Sequence, residues 1–112
     1  MQDINLASRI WIEKDGKPFL GQGRIILLEN IRDAGSINKA AQAMGMSYKR
    51  AWQLVSAIND MADEPIVIRN TGGAGGGGTQ LTEKGVSIIA EFRRIDSLCQ
   101  ELLRKEEKNC CF

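Results

Sequence analysis

The sequence has no histidine, and its three cysteines, Cys99, Cys110 and Cys111, follow no regular spacing. Without histidine there is no Ser-His-Asp triad, no Cys-His pair and no His-ligated metal. An odd number of irregularly spaced cysteines is not a disulfide framework, and three thiolates alone do not complete a zinc site. We therefore expect no enzyme, no metal and no cofactor, and we expect free thiols in a reducing compartment.

Charge excess and long apolar runs are also lacking. Fifteen Lys and Arg residues against 14 Asp and Glu residues give a net charge of +1, which is no global sign of a nucleic-acid or membrane partner. No stretch approaches the ~18 apolar residues of a membrane span, and the first residues lack the basic and apolar regions of a signal peptide. We predict a cytoplasmic protein with no membrane partner, folded as one domain over residues 1–112.

The order of predicted elements is the most informative feature of the chain. Alternating β-formers around an Asp-Gly pair predict a β-hairpin over residues 4–20. Helical spacing, glycine stops and serine caps predict three helices within 24–62. Two short strands around a glycine-rich loop follow at 66–81, and a long helix at 82–107. This order predicts an α+β fold, mainly α: a winged helix-turn-helix with an N-terminal hairpin and a long C-terminal dimerisation helix.

The third helix, capped by Ser47, has an outward face suited to DNA. At about 100° per residue its apolar residues fall on one side, while Lys49, Gln53 and Ser56 fall on the other, flanked by Arg50. Lys and Arg bond guanine, Gln bonds adenine, and Ser bonds a base or a phosphate. The alternative interpretation is an ordinary solvated helix face.

Local charge favours the DNA interpretation. Residues 36–59 contain Lys39, Lys49 and Arg50 but no acidic residue, although acids are frequent elsewhere in the chain. The positive patch is small, but it lies where a recognition helix needs it.

The segment from Thr71 to Thr79 holds six of the twelve glycines. A Walker A loop requires Lys-Ser/Thr after its last glycine, whereas Gly78 is followed by Thr79 and Gln80, so nucleotide binding is disfavoured. The segment instead predicts a wing whose backbone lies against phosphates or the minor groove, with Arg69, Thr71 and Thr79 as side-chain contacts. A plain flexible loop is the alternative.

The last predicted helix carries an apolar seam with steps of 4, 3, 4 and 3 residues, as in coiled coils. Its members are Ile88, Phe92, Ile95, Cys99 and Leu102. Because so long a helix outreaches a small domain, we predict a homodimer through this seam, with Trp11 of the hairpin as a further subunit contact. The alternative is a helix packed wholly on its own core.

Two stretches together resemble a known family. They are Ser36-Ile37 with Ala40-Ala41 and Gly45-Met46-Ser47-Tyr48-Lys49-Arg50-Ala51-Trp52, and Arg69-Asn70-Thr71-Gly72-Gly73-Ala74-Gly75-Gly76-Gly77-Gly78 followed by Leu81-Thr82-Glu83-Lys84-Gly85. They are similar to the N-terminal DNA-binding domain of the molybdate-responsive ModE regulators, and LysR-type regulators share a looser version of the pattern.

The resemblance implies a transcriptional regulator that binds palindromic double-stranded operator DNA as a homodimer. By position it makes Tyr48, Lys49, Arg50 and Gln53 base or phosphate contacts. The full set of candidate DNA contacts is Ser36, Lys39, Ser47, Tyr48, Lys49, Arg50, Gln53, Ser56, Arg69, Thr71, Gly72, Gly73, Gly75, Gly76, Gly77, Gly78 and Thr79. The competing hypothesis is a winged-helix module for protein interaction or dimerisation without DNA binding.

The family's oxyanion-binding modules are missing from these 112 residues. Full-length ModE proteins carry them C-terminally, whereas this sequence ends soon after its last predicted helix. We therefore expect no small-molecule effector site here, and molybdate binding does not carry over. Regulation without a ligand, sensing by a separate partner and a ligand site elsewhere all remain open.

Overall fold

The computed structural model describes residues 4–70 and 78–112. Over these residues the chain forms four helices and two antiparallel two-stranded sheets. In chain order the elements are β1 (Trp11–Lys14), β2 (Lys17–Gly21), α1 (Gln22–Ala34), α2 (Ile37–Ala43), α3 (Tyr48–Met61), β3 (Val67–Asn70), β4 (Gly78–Leu81) and α4 (Glu83–Glu107). The α+β, mainly helical winged fold class predicted from the sequence is confirmed.

The N-terminal hairpin is shorter than predicted. Asp15 and Gly16 form its turn with φ of 53° and 77°, the two positive values that a type I′ turn requires. Residues 4–10 do not extend strand β1, and the backbone of Leu6 bonds to α4 instead. The Leu6 amide donates to Glu107 Oε2 at 2.8 Å, and the Arg104 guanidinium donates to the Leu6 carbonyl.

The predicted helix caps are confirmed. Ser36 Oγ accepts the Lys39 amide at 3.2 Å, and Ser47 Oγ accepts the Arg50 amide at 3.0 Å, so each serine satisfies one of the free donors at a helix start. Helix α1 begins two residues before the predicted position, because β2 runs directly into it through the extended residue Gly21.

One apolar core joins all four helices and the second sheet. Its largest fully buried side chains include Ile25 and Leu28 of α1, Ile58 of α3, Ile66 before β3, and Phe92 of α4. The hairpin is held against this body by Leu20, which is buried in the same core, and by Lys14. Its ammonium donates to the Met61 carbonyl and to Asp63 at 2.8 Å, which keeps the pKa of the Asp63 carboxyl below its ordinary value.

The Asn59 side chain attaches the second sheet to α3. Its Oδ1 accepts the amides of Ile66 at 2.8 Å and Val67 at 3.2 Å, while its Nδ2 donates to the Val67 carbonyl at 3.0 Å. Asn59 was not among the residues predicted from the sequence; the only signal was an amide beside the apolar face of α3, shortly before a strand. Asn59 fixes where β3 starts relative to the outward face of α3.

The conformation of the stretch Leu81-Thr82-Glu83-Lys84-Gly85 explains two of its residues. Thr82 Oγ1 donates to the Pro65 carbonyl at 2.7 Å and accepts the Gly85 amide at 3.1 Å, so it caps α4 and anchors it to the chain before β3. A Cβ on Gly85 would lie 2.5 Å from the Ile66 carbonyl oxygen. This backbone contact requires glycine.

We expect Gly85→Ala to lower the free energy of unfolding by ~1–3 kcal/mol, because the added methyl meets backbone and forces α4 away from β3. Gly23→Ala is the matched control, since Gly23 lies in α1 with nothing within 4 Å of the new Cβ. It should raise stability by up to about 1 kcal/mol through helix propensity. Urea denaturation measures both; equal effects would contradict the close contact at Gly85.

None of the helices within residues 4–70 and 78–112 combines the length and the apolarity needed to cross a membrane.

Candidate nucleic-acid interface

The turn between α2 and α3 brings these helices together at a defined angle. Gly45 has φ of 67°, and the Met46 amide donates to the Ala41 carbonyl at 3.0 Å, which closes the turn. Ala40, Ala41 and Ala51 are at most 1% exposed, and their small side chains let the helices approach closely. The result is a helix-turn-helix with α3 as its second helix.

One face of α3 presents a polar surface. Lys49, Gln53 and Ser56 are exposed at i, i+4 and i+7 and share one face, with Tyr48 and Arg50 exposed beside them. The structure thus brings together the candidates predicted on this helix. Ser47 lies at its start, where its hydroxyl is engaged in capping.

The positive charges of this surface are available to a partner. Within the described part of the chain, Lys39, Lys49 and Arg50 form no ion pair, whereas Arg93 and Arg104 are paired with Glu29 and Glu107 at 2.6 and 2.9 Å. Bonding to Glu29 also raises the pKa of Arg93 above its ordinary value. Lys39, Lys49 and Arg50 therefore do not have to break an ion pair with a described carboxylate before they bond to a phosphate or a base edge.

Arg69 links the second sheet to α3 instead of extending freely from the wing. Its guanidinium lies 4.0 Å from the centroid of the Trp52 ring, and its Nη2 donates to the Tyr48 hydroxyl at 3.2 Å. The Tyr48 and Trp52 rings meet edge to face at 6.4 Å. Trp52 packs against the core and is also the platform on which Arg69 stacks, a contact that was not predicted from the sequence.

The structure describes both strands of the wing, but it does not describe most of the glycines that were predicted to contact DNA. Asn70 pairs with Gly78, and Arg69 with Thr79, in an antiparallel ladder. Thr71, Gly72, Gly73, Gly75, Gly76 and Gly77 lie outside the described residues.

The prediction of Thr79 as a DNA contact is wrong. Thr79 is 8% exposed, and its amide donates to the Gly35 carbonyl at 3.0 Å, because β4 packs on the turn between α1 and α2. Gly78 lies equally close to this turn, since a Cβ there would meet the Gly35 oxygen at 3.2 Å. This end of the wing is therefore packed against the domain.

The predicted seam of α4 divides into a buried and an exposed part. Phe92 is 1% exposed and belongs to the core of its own chain, so its place in a subunit interface is corrected. Ile88 packs partly on the same core. Further along, Ile95 and Cys99 are half-buried and Leu102 is exposed, as is Trp11 of the hairpin.

The fold and the α3 surface define a winged helix-turn-helix domain of the class used by transcriptional regulators. The chain matches the family described as bacterial regulatory helix-turn-helix protein, lysR family, over residues 24–86, and it belongs to that family. This family comprises regulators, not enzymes.

Similar proteins include regulators named ModE, as predicted from the motifs. The chain is 43% identical over 103 residues to the molybdenum transport protein ModE of Azotobacter vinelandii, covering 92% of this chain and 38% of that protein. It is 42% identical over 85 residues to the DNA-binding transcriptional dual regulator ModE of Escherichia coli K12, covering 76% of this chain and 32% of the relative. The chain thus spans about a third to two-fifths of these relatives.

Proposed function

We propose that this chain binds palindromic double-stranded DNA as a homodimer, with α3 lying in the major groove. The observation that carries the proposal is the exposed N-terminal half of α3, where Lys49 and Arg50 have no carboxylate partner within the described residues. A helix of this kind reads base edges from its first turns while the preceding helix crosses the backbone.

The roles of the side chains follow from their chemistry. Lys49 and Arg50 suit guanine O6 and N7 or a phosphate, and Gln53 suits adenine N6 and N7. Lys39 lies exposed on α2, where a helix that crosses the backbone meets phosphates. Ser36 and Ser47 cap α2 and α3, so we assign them to placing the helix starts near phosphates.

Selection of bound sequences from random DNA tests the proposal. We expect one recurrent motif with two inverted half-sites, bound with an affinity that falls steeply as salt rises, because each phosphate contact releases counterions. Recovery of unrelated sequences, or no salt-dependent binding, would contradict it. The second outcome would favour the protein-interaction module instead.

The homodimer is proposed on the distal half of α4. Leu98 and Leu102 are 53% and 58% exposed and lie one helical turn apart, and Trp11 is 58% exposed. We expect these exposed large apolar side chains to be covered by a second copy of the chain.

Replacing Leu102 by Glu should shift the protein from dimer to monomer, since a carboxylate in an apolar seam loses hydration without gaining a partner. Light scattering at micromolar concentration measures the mass. Val86→Glu is the control, because Val86 is exposed on the opposite side of α4. If wild type is already monomeric, or if both variants dissociate alike, the seam is not the interface.

We do not extend any response to molybdate from these relatives to the present residues. The names of the relatives connect them with molybdenum, but the match covers only 38% of the Azotobacter protein. The proposal for the present residues is therefore limited to DNA binding and homodimer formation.

A further inference from the structure

Tyr48, Trp52 and Arg69 form a contact cluster between α3 and β3. The guanidinium of Arg69 stacks at 4.0 Å on the Trp52 ring and donates from Nη2 to the Tyr48 hydroxyl oxygen at 3.2 Å. The two aromatic rings stand almost perpendicular, at 87°. Three contacts therefore fix one phenol oxygen relative to the outward face of α3.

The bond from Arg69 determines what the Tyr48 hydroxyl can do. A phenol oxygen has two favoured directions in the plane of its ring, and it offers one proton as well as lone pairs. Because an arginine has only donors, it must occupy a lone-pair direction, which leaves the proton in the other. Tyr48 is 48% exposed, so its proton is accessible from solvent.

We propose that Arg69 is a positioning residue that makes Tyr48 a hydrogen-bond donor to DNA. The inference rests on the proposed DNA binding and deepens it. The Tyr48 hydroxyl then requires an acceptor: a phosphate oxygen, a purine N7, guanine O6 or thymine O4. It does not suit the amino group of cytosine or adenine, which is itself a donor.

Only arginine fits this task at position 69. Its planar guanidinium stacks on an indole and keeps its donors in a rigid fork, whereas a lysine ammonium is a hydrated point charge on a flexible stem. Trp52 is held as the platform by its packing against the hydrophobic core of the domain. Arg69→Lys therefore keeps the charge and removes the positioning.

A double-mutant cycle on Tyr48→Phe and Arg69→Lys tests the inference, with fluorescence anisotropy on a DNA site selected by the wild type. We expect Tyr48→Phe to weaken binding about fivefold, the scale of one neutral hydrogen bond. Arg69→Lys should weaken binding by a similar factor while the salt slope stays unchanged, because the charge remains. In the Arg69→Lys background, Tyr48→Phe should cost less than about twofold, since coupled groups are not additive.

Arg9→Lys is the matched control, because Arg9 is exposed outside α3 and the wing, and it should bind as the wild type does. If Tyr48→Phe costs the same factor in both backgrounds, or nothing in the wild type, the inference is overturned. Failure of the wild type itself to bind DNA would instead overturn the proposed function.

The same variants identify the acceptor. If Tyr48→Phe reduces the preference for the selected site over shuffled DNA, the acceptor is a base edge. If it lowers affinity for both DNAs equally, the acceptor is a phosphate. Both results support a donor role.

Discussion

Replacing Lys49 and Arg50 together by Ala is expected to weaken binding to the selected DNA site by at least about 30-fold. Each side chain that reaches a base edge contributes ~1–3 kcal/mol, and the lower value for both together corresponds to this factor. Both side chains are exposed at the start of α3 and contribute little to the core. Stability should therefore change by no more than about 0.5 kcal/mol. Where either residue contacts a phosphate, the slope of log affinity against log salt should fall by about 1. Titrations at several salt concentrations measure both quantities.

The control removes the same charge elsewhere. Lys17 lies at the start of β2 and Lys108 just beyond α4; both are exposed and neither belongs to the α3 surface. Lys17→Ala with Lys108→Ala should leave the preference for the selected site intact. If the two pairs of substitutions weaken binding equally, the protein is attracted to DNA by its overall charge, and α3 is not the element that recognises the DNA sequence.

Phe92→Ala is expected to cost ~3–5 kcal/mol of unfolding free energy, because it empties a fully buried aromatic site. Leu102→Ala on the same helix should change the stability of a single chain by no more than about 0.5 kcal/mol, since Leu102 is largely in solvent. Urea denaturation at several protein concentrations separates folding from association, because a dimer's stability depends on concentration.

The dependence of each loss of stability on protein concentration shows whether Phe92 or Leu102 lies in the subunit interface. The loss from Phe92→Ala should be the same at every protein concentration, and that from Leu102→Ala should appear only where the protein pairs. A concentration-dependent loss for Phe92→Ala would return this residue to the subunit interface.

The features that the sequence predicted well are local. Serine caps at Ser36 and Ser47, the Asp15-Gly16 turn and the outward face of α3 depend on residues a few positions apart, and local chemistry determines them. The element order followed from the same signals. The family motifs then added the regulator class, which spacing alone did not establish.

The features that were not predicted from the sequence depend on contacts between residues that are far apart in the chain. Thr79 has a suitable hydroxyl, but β4 packs it on the Gly35 turn, 44 residues away by number. Phe92 continues a heptad-like spacing, yet the same spacing serves a core as well as a dimer. Asn59 looks like an ordinary polar residue until β3 is placed beside α3, and the same placement brings Arg69, predicted as a wing contact, onto the Trp52 ring. A sequence pattern predicts on which face of its helix or strand a residue lies, but it does not predict which residues of other elements cover that face.

The attachment of the N-terminal residues to the end of α4 has a consequence for folding kinetics. The contact between Leu6 and Glu107 joins residues 101 positions apart, so nearly the whole chain is the loop that it closes. Such contacts form late and open first, which places this segment at the low-stability end of the molecule. In hydrogen exchange, the Leu6 amide should lose protection well before the core of α3. We therefore expect unfolding to begin where the N-terminal residues meet the end of α4.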